Sequence, residues 1–376
     1  MAARAGELPT WADVGLLPLI NLAAAFLVSG VIVMILGENP LRAVELLVYG
    51  AFGYGEAIGY TLFYATTFIF AGLAFAVAFH GSLFNIGAEG QGHIGGLGLG
   101  LVCLYMGDLP FILVLPLAIL GATLFGGFWG MIPGYLQAKR GSHVVITTIM
   151  FNFIASALMT YMMVRVLIKP GQASPESESF PESARLPQIH DMAAWFGLDL
   201  PSSPLNLSFL IALLCCIAVY IFIWRSRIGY ELRVVGRSEH AAVYAGISPA
   251  KLTILAMTLS GALAGCMALN ILMGNQFRLM LDFTGGFGFV GIAVSLMGRN
   301  HPVGIVLAAI LFGALYQGGS ELAFDMPAIS RDMVIVIQGL VILFAGALEN
   351  MFRPSLIALL APKAEDRVTA GAGTGG

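Results

Sequence analysis

Runs of about twenty apolar residues recur along this chain, and that recurrence limits its fold more than any other feature. A helix of ~20 residues crosses the ~30 Å hydrocarbon core of a bilayer. Segments near 16–36, 59–79, 91–107, 111–134, 144–167, 205–224, 252–273, 286–298, 302–317 and 332–350 qualify. The expectation is an all-α polytopic membrane protein with about ten transmembrane helices. Charged residues make up only 10% of the chain and hydrophobic ones 58%. A soluble domain carries about 25% charged residues, so this chain cannot cover itself in water.

The runs 91–107 and 286–298 are short and Gly-rich. They read as broken or partly re-entrant helices, which need protein or a water-filled cavity around them. The first apolar run is as long as a full span, so it reads as a retained helix and not as a cleaved signal. Residues 1–15 are then an inside N-terminus, 16–350 the membrane domain, and 351–376 an inside tail whose AGAGTGG end reads as disordered. Residues 40–52 (PLRAVELLVYGAF) look like a short interfacial helix on the outside.

Lys and Arg set the orientation. With the N-terminus inside, Arg4, Lys139, Arg140, Arg225, Arg227, Arg233, Arg237, Lys251, Arg299, Arg353, Lys363 and Arg367 fall inside, and Arg42, Arg165, Lys169, Arg185, Arg278 and Arg331 outside. That two-to-one bias puts the loop 168–204 outside and the loop 225–251 inside. The Gly-rich breaks open the third and eighth spans, which belong to halves of opposite orientation, as an inverted repeat predicts. Gly92, Gly96 and Gly100, Gly130 and Gly134, and Gly261 and Gly265 recur at four-residue spacing, which suits close helix packing.

Several classes are excluded. A net charge of -3 gives no basic surface for nucleic acid. Cys103, Cys215, Cys216 and Cys266 lie in apolar runs without paired spacing and read as buried small residues. No P-loop, H-E-x-x-H motif or nucleophile with its base is present. This chain binds no cofactor on this evidence, and no metal site is expected.

Four stretches carry polar chemistry. FNIGAEGQ (84–91) places Glu89, Asn85 and Gln91 beside flexible positions. A carboxylate in the membrane interior costs about 2.5–3.5 kcal/mol, so it pairs or meets water. The stretch is a polar elbow capping the third span, a gate, or a substrate contact. In 226–252, Ser238 is a candidate N-cap, and Ala241, Ala242, Ala245 and Ile247 form a small apolar surface between basic residues. Ala242 and Ala245 share one helical face, which suits a partner's groove; anionic lipid is the competing occupant. The segment 285–315 has a Gly-rich entry, a short apolar crossing and a polar turn at Arg299, Asn300 and His301. In 141–155, Thr147, Thr148 and Asn152 either face a pathway or bond between helices.

FNIGAEGQ, LRVVGRSEHAAVYAGIS and GFGFVGIAVSLMGRNHPVGI together resemble permease subunits of bacterial ABC importers, in the simple-sugar and nucleoside branch with ribose and branched-chain amino acid relatives. The resemblance runs from about residue 16 to 350. It implies a type II (vitamin-B12-importer-like) permease architecture with inverted-repeat halves in the bacterial inner membrane, both termini cytoplasmic and 168–204 periplasmic. It implies a cytoplasmic ABC ATPase, holding ATP and magnesium, docked at Arg233, Gly236, Arg237, Glu239, Ala242, Ala245 and Gly246. It further implies a second, non-identical permease, an extracytoplasmic solute-binding protein and surrounding lipid. The pathway or gate residues are then Phe84, Asn85, Glu89, Gln91, Asn152, Phe287 and Phe289. The FNIGAEGQ form is most similar to nucleoside permeases; nucleobases and simple sugars stay open. Members often carry Gly-Val-Asn-Glu-Val before the Thr-Thr of the fifth span, where this chain has Gly141, Ser142, His143, Val144 and Val145, so that carboxylate's role has no counterpart here. An ion-coupled secondary transporter is the alternative, and a membrane enzyme a weaker third.

Overall fold

A computed structural model describes residues 9, 12–329, 331–344 and 353–360. The chain divides into two compact units, one of residues 47–318 and one of residues 1–46 with 319–376. Among the described residues, all regular structure is helical apart from isolated bridges.

The helices that matter are α1 (Leu17–Ile35), α2 (Pro40–Phe52), α3 (Gly55–Phe79), α4 (Ala88–Tyr105) and α5 (Phe111–Arg140). They continue with α6 (Val144–Val166), the short α7 (Ile189–Ala194) and α8 (Ser208–Arg225). In the loop 225–251 lie α9 (Arg227–Arg237) and α10 (Glu239–Tyr244), followed by α11 (Pro249–Gln276), α12 (Phe287–Met297), α13 (Pro302–Asp325), α14 (Arg331–Ile342) and α15 (Arg353–Leu360). Their ends follow local chemistry. The Ser226 hydroxyl accepts from the Gly229 amide and caps α9. Gly141, at φ +69, closes α5 after Lys139 and Arg140, where cations suit a helix C-terminus.

Among the described residues, six helices are long and apolar enough to cross a membrane: α3, α5, α6, α8, α11 and α13. A seventh appears if the bent pair Leu19–Ile35 and Pro40–Phe52 is one span. This is fewer than the ten expected, and each difference has a reason. The run 91–107 forms α4, an 18-residue helix with six glycines in the sequence AEGQGHIGGLGLGLVCLY, too polar and glycine-rich for a lipid-facing span. The run 286–298 yields only the 11 residues of α12. The run 332–350 is helical over Arg331–Ile342, and residues 345–350 fall outside the described residues. Residues 40–52 are the helix expected there. In the tail, residues 353–360 are helical, and the expectation for 361–376 falls outside the described residues.

In the unit 47–318, α3 is buried along most of its length, and α4, α5 and α11 pack into one wall. Glycines make that wall possible. A Cβ on Gly95 would stand 2.3 Å from the Gly265 Cα, one on Gly98 2.5 Å from the Gly121 carbonyl, and one on Gly261 2.2 Å from the Gly126 carbonyl. Backbone meets backbone, as small residues at a membrane helix interface permit. The other unit has its own apolar cluster of Val33, Ala43, Leu322, Met326, Ile329, Val334 and Ile337.

Candidate functional site

The elbow between α3 and α4 brings Asn85 and Gln91 together. Asn85 Nδ2 donates to Gln91 Oε1 (2.9 Å) and to the Ser260 hydroxyl of α11 (2.8 Å), while Asn85 Oδ1 accepts from the Gly87 amide (2.8 Å). Asn152, from α6, grips the same elbow. Its Oδ1 accepts from the Gly90 amide (2.9 Å), and its Nδ2 donates to the Ile86 carbonyl (2.9 Å). All three side chains are occupied by their own chain, which gives the elbow one fixed shape. Phe84 lies apart from this group and packs edge-on against Phe75 at 5.0 Å.

Glu89 faces the opposite way, into the N-terminus of α12. Its Oε1 accepts from the Gly286 amide (2.8 Å) and the Thr284 hydroxyl (2.6 Å), and its Oε2 accepts from the Gly288 amide (2.8 Å). The first turn of a helix leaves amides without intrahelical partners and carries partial positive charge. A carboxylate from another helix satisfies both needs here. Gly286 makes the turn with φ +83, a conformation side chains resist. Gly288 admits the close approach, because a Cβ there would stand 2.4 Å from the Glu89 amide nitrogen.

His93, one turn along α4, extends the group. Thr284 gives its proton to Glu89, so its oxygen accepts from His93 Nε2 at 2.8 Å. That fixes the proton on Nε2, which also lies 3.7 Å from Asp282. Glu89, His93 and Asp282 offer three ligand atoms within 4.8 Å of one another. Oε1 of Glu89 accepts two of the cap hydrogen bonds and Oε2 one, so in this arrangement the carboxylate serves as a helix cap.

Beside the cap lies an aromatic cluster. The Phe287 ring meets Phe68 and Tyr316 at 5.4 Å each and Tyr64 at 6.3 Å, all edge-to-face. Phe68 is fully buried, whereas Tyr64, Phe287 and Tyr316 keep part of their surface open. Phe289, two residues on, is 46% exposed.

In the loop 225–251, Ser238 caps α10 as expected by accepting from the Ala241 amide at 3.3 Å. The face of α10 differs from expectation. Ala242 is fully buried against its own chain, while Ala245 lies beyond the helix end and is exposed. A six-residue helix has room for one inward position, and the small side chain takes it against α9 and α11. The outward face is therefore Val243, 60% exposed, and Tyr244, 93% exposed. Arg237 and Glu239 are exposed, Arg233 is half-buried, and Gly246 turns the chain at φ +74. Gly236 touches the end of α3, since a Cβ there would stand 2.2 Å from the His80 carbonyl. A cleft of about 380 Å³ separates this loop from the elbow, lined by Ser82, Gln137, Arg237, Glu239 and Thr253 among others.

Sequence reasoning passed over Asp282, Thr284, His93, Tyr64 and Tyr316. Thr284 and Asp282 precede the Gly-Gly pair that marks the helix break, and a capping partner for Glu89 belongs at such a break. His93 stands four residues after Glu89 on the same helical face. Nothing local marks Tyr64 or Tyr316.

The sequence profile of the family described as "Branched-chain amino acid transport system / permease component" matches residues 57–346. A guanosine ABC transporter permease protein from Bacillus subtilis is 35% identical over 88% of this chain and 93% of its own. A nucleoside ABC transporter permease protein from Lactococcus lactis is 33% identical over 93% and 94% respectively. A glucose ABC transporter permease protein from Haloferax volcanii is 33% identical over 89% and 88%.

Proposed function

This chain belongs to the branched-chain amino acid transport system permease component family, and from that premise we propose that it is the membrane-spanning permease of an ATP-driven nucleoside importer. The observation that carries the reading is the Glu89 cap. Discontinuous helices place solute sites at half-helix ends, and here the end of α12, capped by the buried Glu89 carboxylate, lies beside half-open aromatic rings. Membership of an ABC transport family stands against the ion-coupled alternative.

In this reading, a cytoplasmic ATPase binds ATP and magnesium and docks on α10, and an extracytoplasmic receptor delivers the solute. A second permease completes the path. The protein sits in the bacterial inner membrane with both termini inside. The weaker helices α1, α4, α12 and α14 complete about ten membrane segments in inverted-repeat halves of type II architecture. Tyr244 and Val243 enter the ATPase groove, with Arg237 and Glu239 setting register, because rim charges fix orientation more than affinity. Movement of α10 passes through Gly236 to the end of α3 and the elbow, and from there along α4 to Glu89 and α12. The α4–α5–α11 wall stays fixed while α12 moves.

The test uses membranes carrying the assembled importer. Labelled guanosine is taken up only with ATP, and unlabelled glucose does not compete. Tyr244→Ala removes a central aromatic anchor, an effect of about 2 kcal/mol or more at an interface hot spot, so the ATPase no longer copurifies while the permease still inserts. Glucose uptake without guanosine uptake would assign a sugar instead. Full assembly in Tyr244→Ala would remove α10 as the docking element.

A further inference from the structure

Helix N-termini inside membranes attract anionic groups of solutes. Here that position is already filled. Glu89 takes the Gly286 and Gly288 amides, and Asp282 adds a second carboxylate whose side chain is 84% exposed. A phosphate arriving at this mouth meets two negative charges and no open helix terminus. The surface left for a solute is aromatic: the accessible parts of Tyr64, Phe287 and Tyr316.

The position of these groups across the membrane follows from length. The 11 residues of α12 cover about 16 Å, near half of the ~30 Å core. The polar turn Arg299, Asn300 and His301 follows the other end of α12. With that turn at the membrane boundary, Phe287 and the Glu89 cap lie near the midplane. Phe287 is also held in place. Its neighbours Gly286 and Gly288 are the two residues whose amides Glu89 binds, so the ring stands on a clamped turn.

We infer that the Tyr64, Phe287 and Tyr316 rings form a stacking contact for an uncharged solute bearing a planar aromatic ring, and that Glu89 excludes the phosphorylated form by occupying the α12 N-terminus. The inference rests on the nucleoside-importer reading and narrows it to a neutral base-bearing solute recognised by this chain itself. A π-face is all that stacking requires, so any nucleobase ring qualifies, whereas a free sugar has none.

The experiment reads weak binding to the permease directly, without the receptor. Saturation-transfer NMR is recorded on the assembled importer in lipid nanodiscs with guanosine, guanosine monophosphate or glucose. Guanosine ring protons are expected to receive saturation, with little transfer to the monophosphate or to glucose. Phe287→Leu lowers the guanosine signal roughly tenfold, the worth of one base–ring stack, and Phe287→Tyr restores it. Glu89→Gln raises the monophosphate signal relative to guanosine, which a merely structural role would not do. Equal signals for guanosine and its monophosphate in the unaltered protein would overturn the inference, as would an unchanged signal in Phe287→Leu or no signal at all. Guanosine uptake by the same complex separates the two ideas. Uptake without the ring signal removes this contact alone, whereas absence of uptake removes the importer reading.

Discussion

The α4–α5–α11 wall and the α4–α12 junction are built from the same helix, yet they are held by opposite means. Along the wall, Gly95, Gly98, Gly126 and Gly261 put backbone on backbone with no room for a methyl group. At the junction, a single carboxylate holds a helix end through three directional hydrogen bonds. Packing of the first kind has no second arrangement of similar energy, because interiors are close-packed and resist small shifts. Hydrogen bonds at a helix end can be exchanged for others, and the glycines at Gly285 and Gly286, both at positive φ, provide a hinge. The same helix therefore serves as scaffold on one face and as a latch on another.

The largest effect is expected where the wall is tightest. In Gly261→Val, the added side chain meets the Gly126 carbonyl, which cannot move without its helix. Overpacking of this kind costs about 1–3 kcal/mol and sometimes more. Thermal melts and detergent-soluble yield should both fall. A variant with unchanged melting would show that the wall has slack, and the contrast between the regions would fail.

Glu89→Gln should act on the latch instead. The side chain keeps its size, but its NH2 faces one of the amides that the carboxylate accepted. A buried donor left without a partner costs about 1–3 kcal/mol. Insertion and expression persist while uptake falls. Full uptake would show that the charge is dispensable at the junction.

The smallest effect concerns the loop 168–204. Glu176 accepts from Arg278 at 2.7 Å, and the Ser177 amide donates to the Leu279 carbonyl, so the loop is pinned beside the segment leading to α12. The Arg278 hydrogen bond holds the Glu176 carboxyl below its ordinary value. The pin is therefore complete above the ordinary carboxylate range and is lost as pH falls through the lowered value. Proteolysis of the loop should quicken only in acid, and Glu176→Gln should remove that dependence. Equal acid sensitivity in the variant would assign the effect to another group.

How much of this was legible in the sequence depends on distance along the chain. The spacing of Gly130, Gly134, Gly261 and Gly265 announced the α5–α11 part of the wall, whereas Gly92, Gly96 and Gly100 meet the side chains of Met267, Phe283 and Leu279 and the α4 part rests on Gly95 and Gly98. The polar elbow announced Asn85, Glu89 and Gln91, because those signals are local. The partner of Glu89 lies almost two hundred residues away in sequence, so the cap itself was invisible, although both helix breaks were marked. The face of α10 was misjudged for a physical reason. Small residues at helical spacing suit a partner's groove and an inward contact equally, and only the tertiary neighbours α9 and α11 decide that Ala242 points in. Apolar character alone does not distinguish a buried glycine-rich helix such as α4 from a lipid-facing one, so the sequence reads both as spans.

The central claim is that α12 moves while the glycine wall does not, and paired cysteines test it most directly. In a background free of the four native cysteines, one pair is Gly127→Cys with Ala262→Cys, within the wall, where a Cβ on Gly127 would lie 3.5 Å from the Ala262 Cβ. The other is Gly72→Cys with Val294→Cys, joining α3 to α12, where a Cβ on Gly72 would lie 3.3 Å from the Val294 Cγ1. The first is a Cβ–Cβ separation at the edge of the about 3.5–4.5 Å of a bridge, and at the second Val294 Cγ1 marks the place that a cysteine sulfur would take beside Gly72. ATP-driven guanosine uptake is measured before oxidation, after it, and after reduction. The account predicts that the wall bridge leaves uptake intact, and that the α3–α12 bridge abolishes it until reductant restores it. Undiminished uptake with α12 locked to α3 would contradict the account.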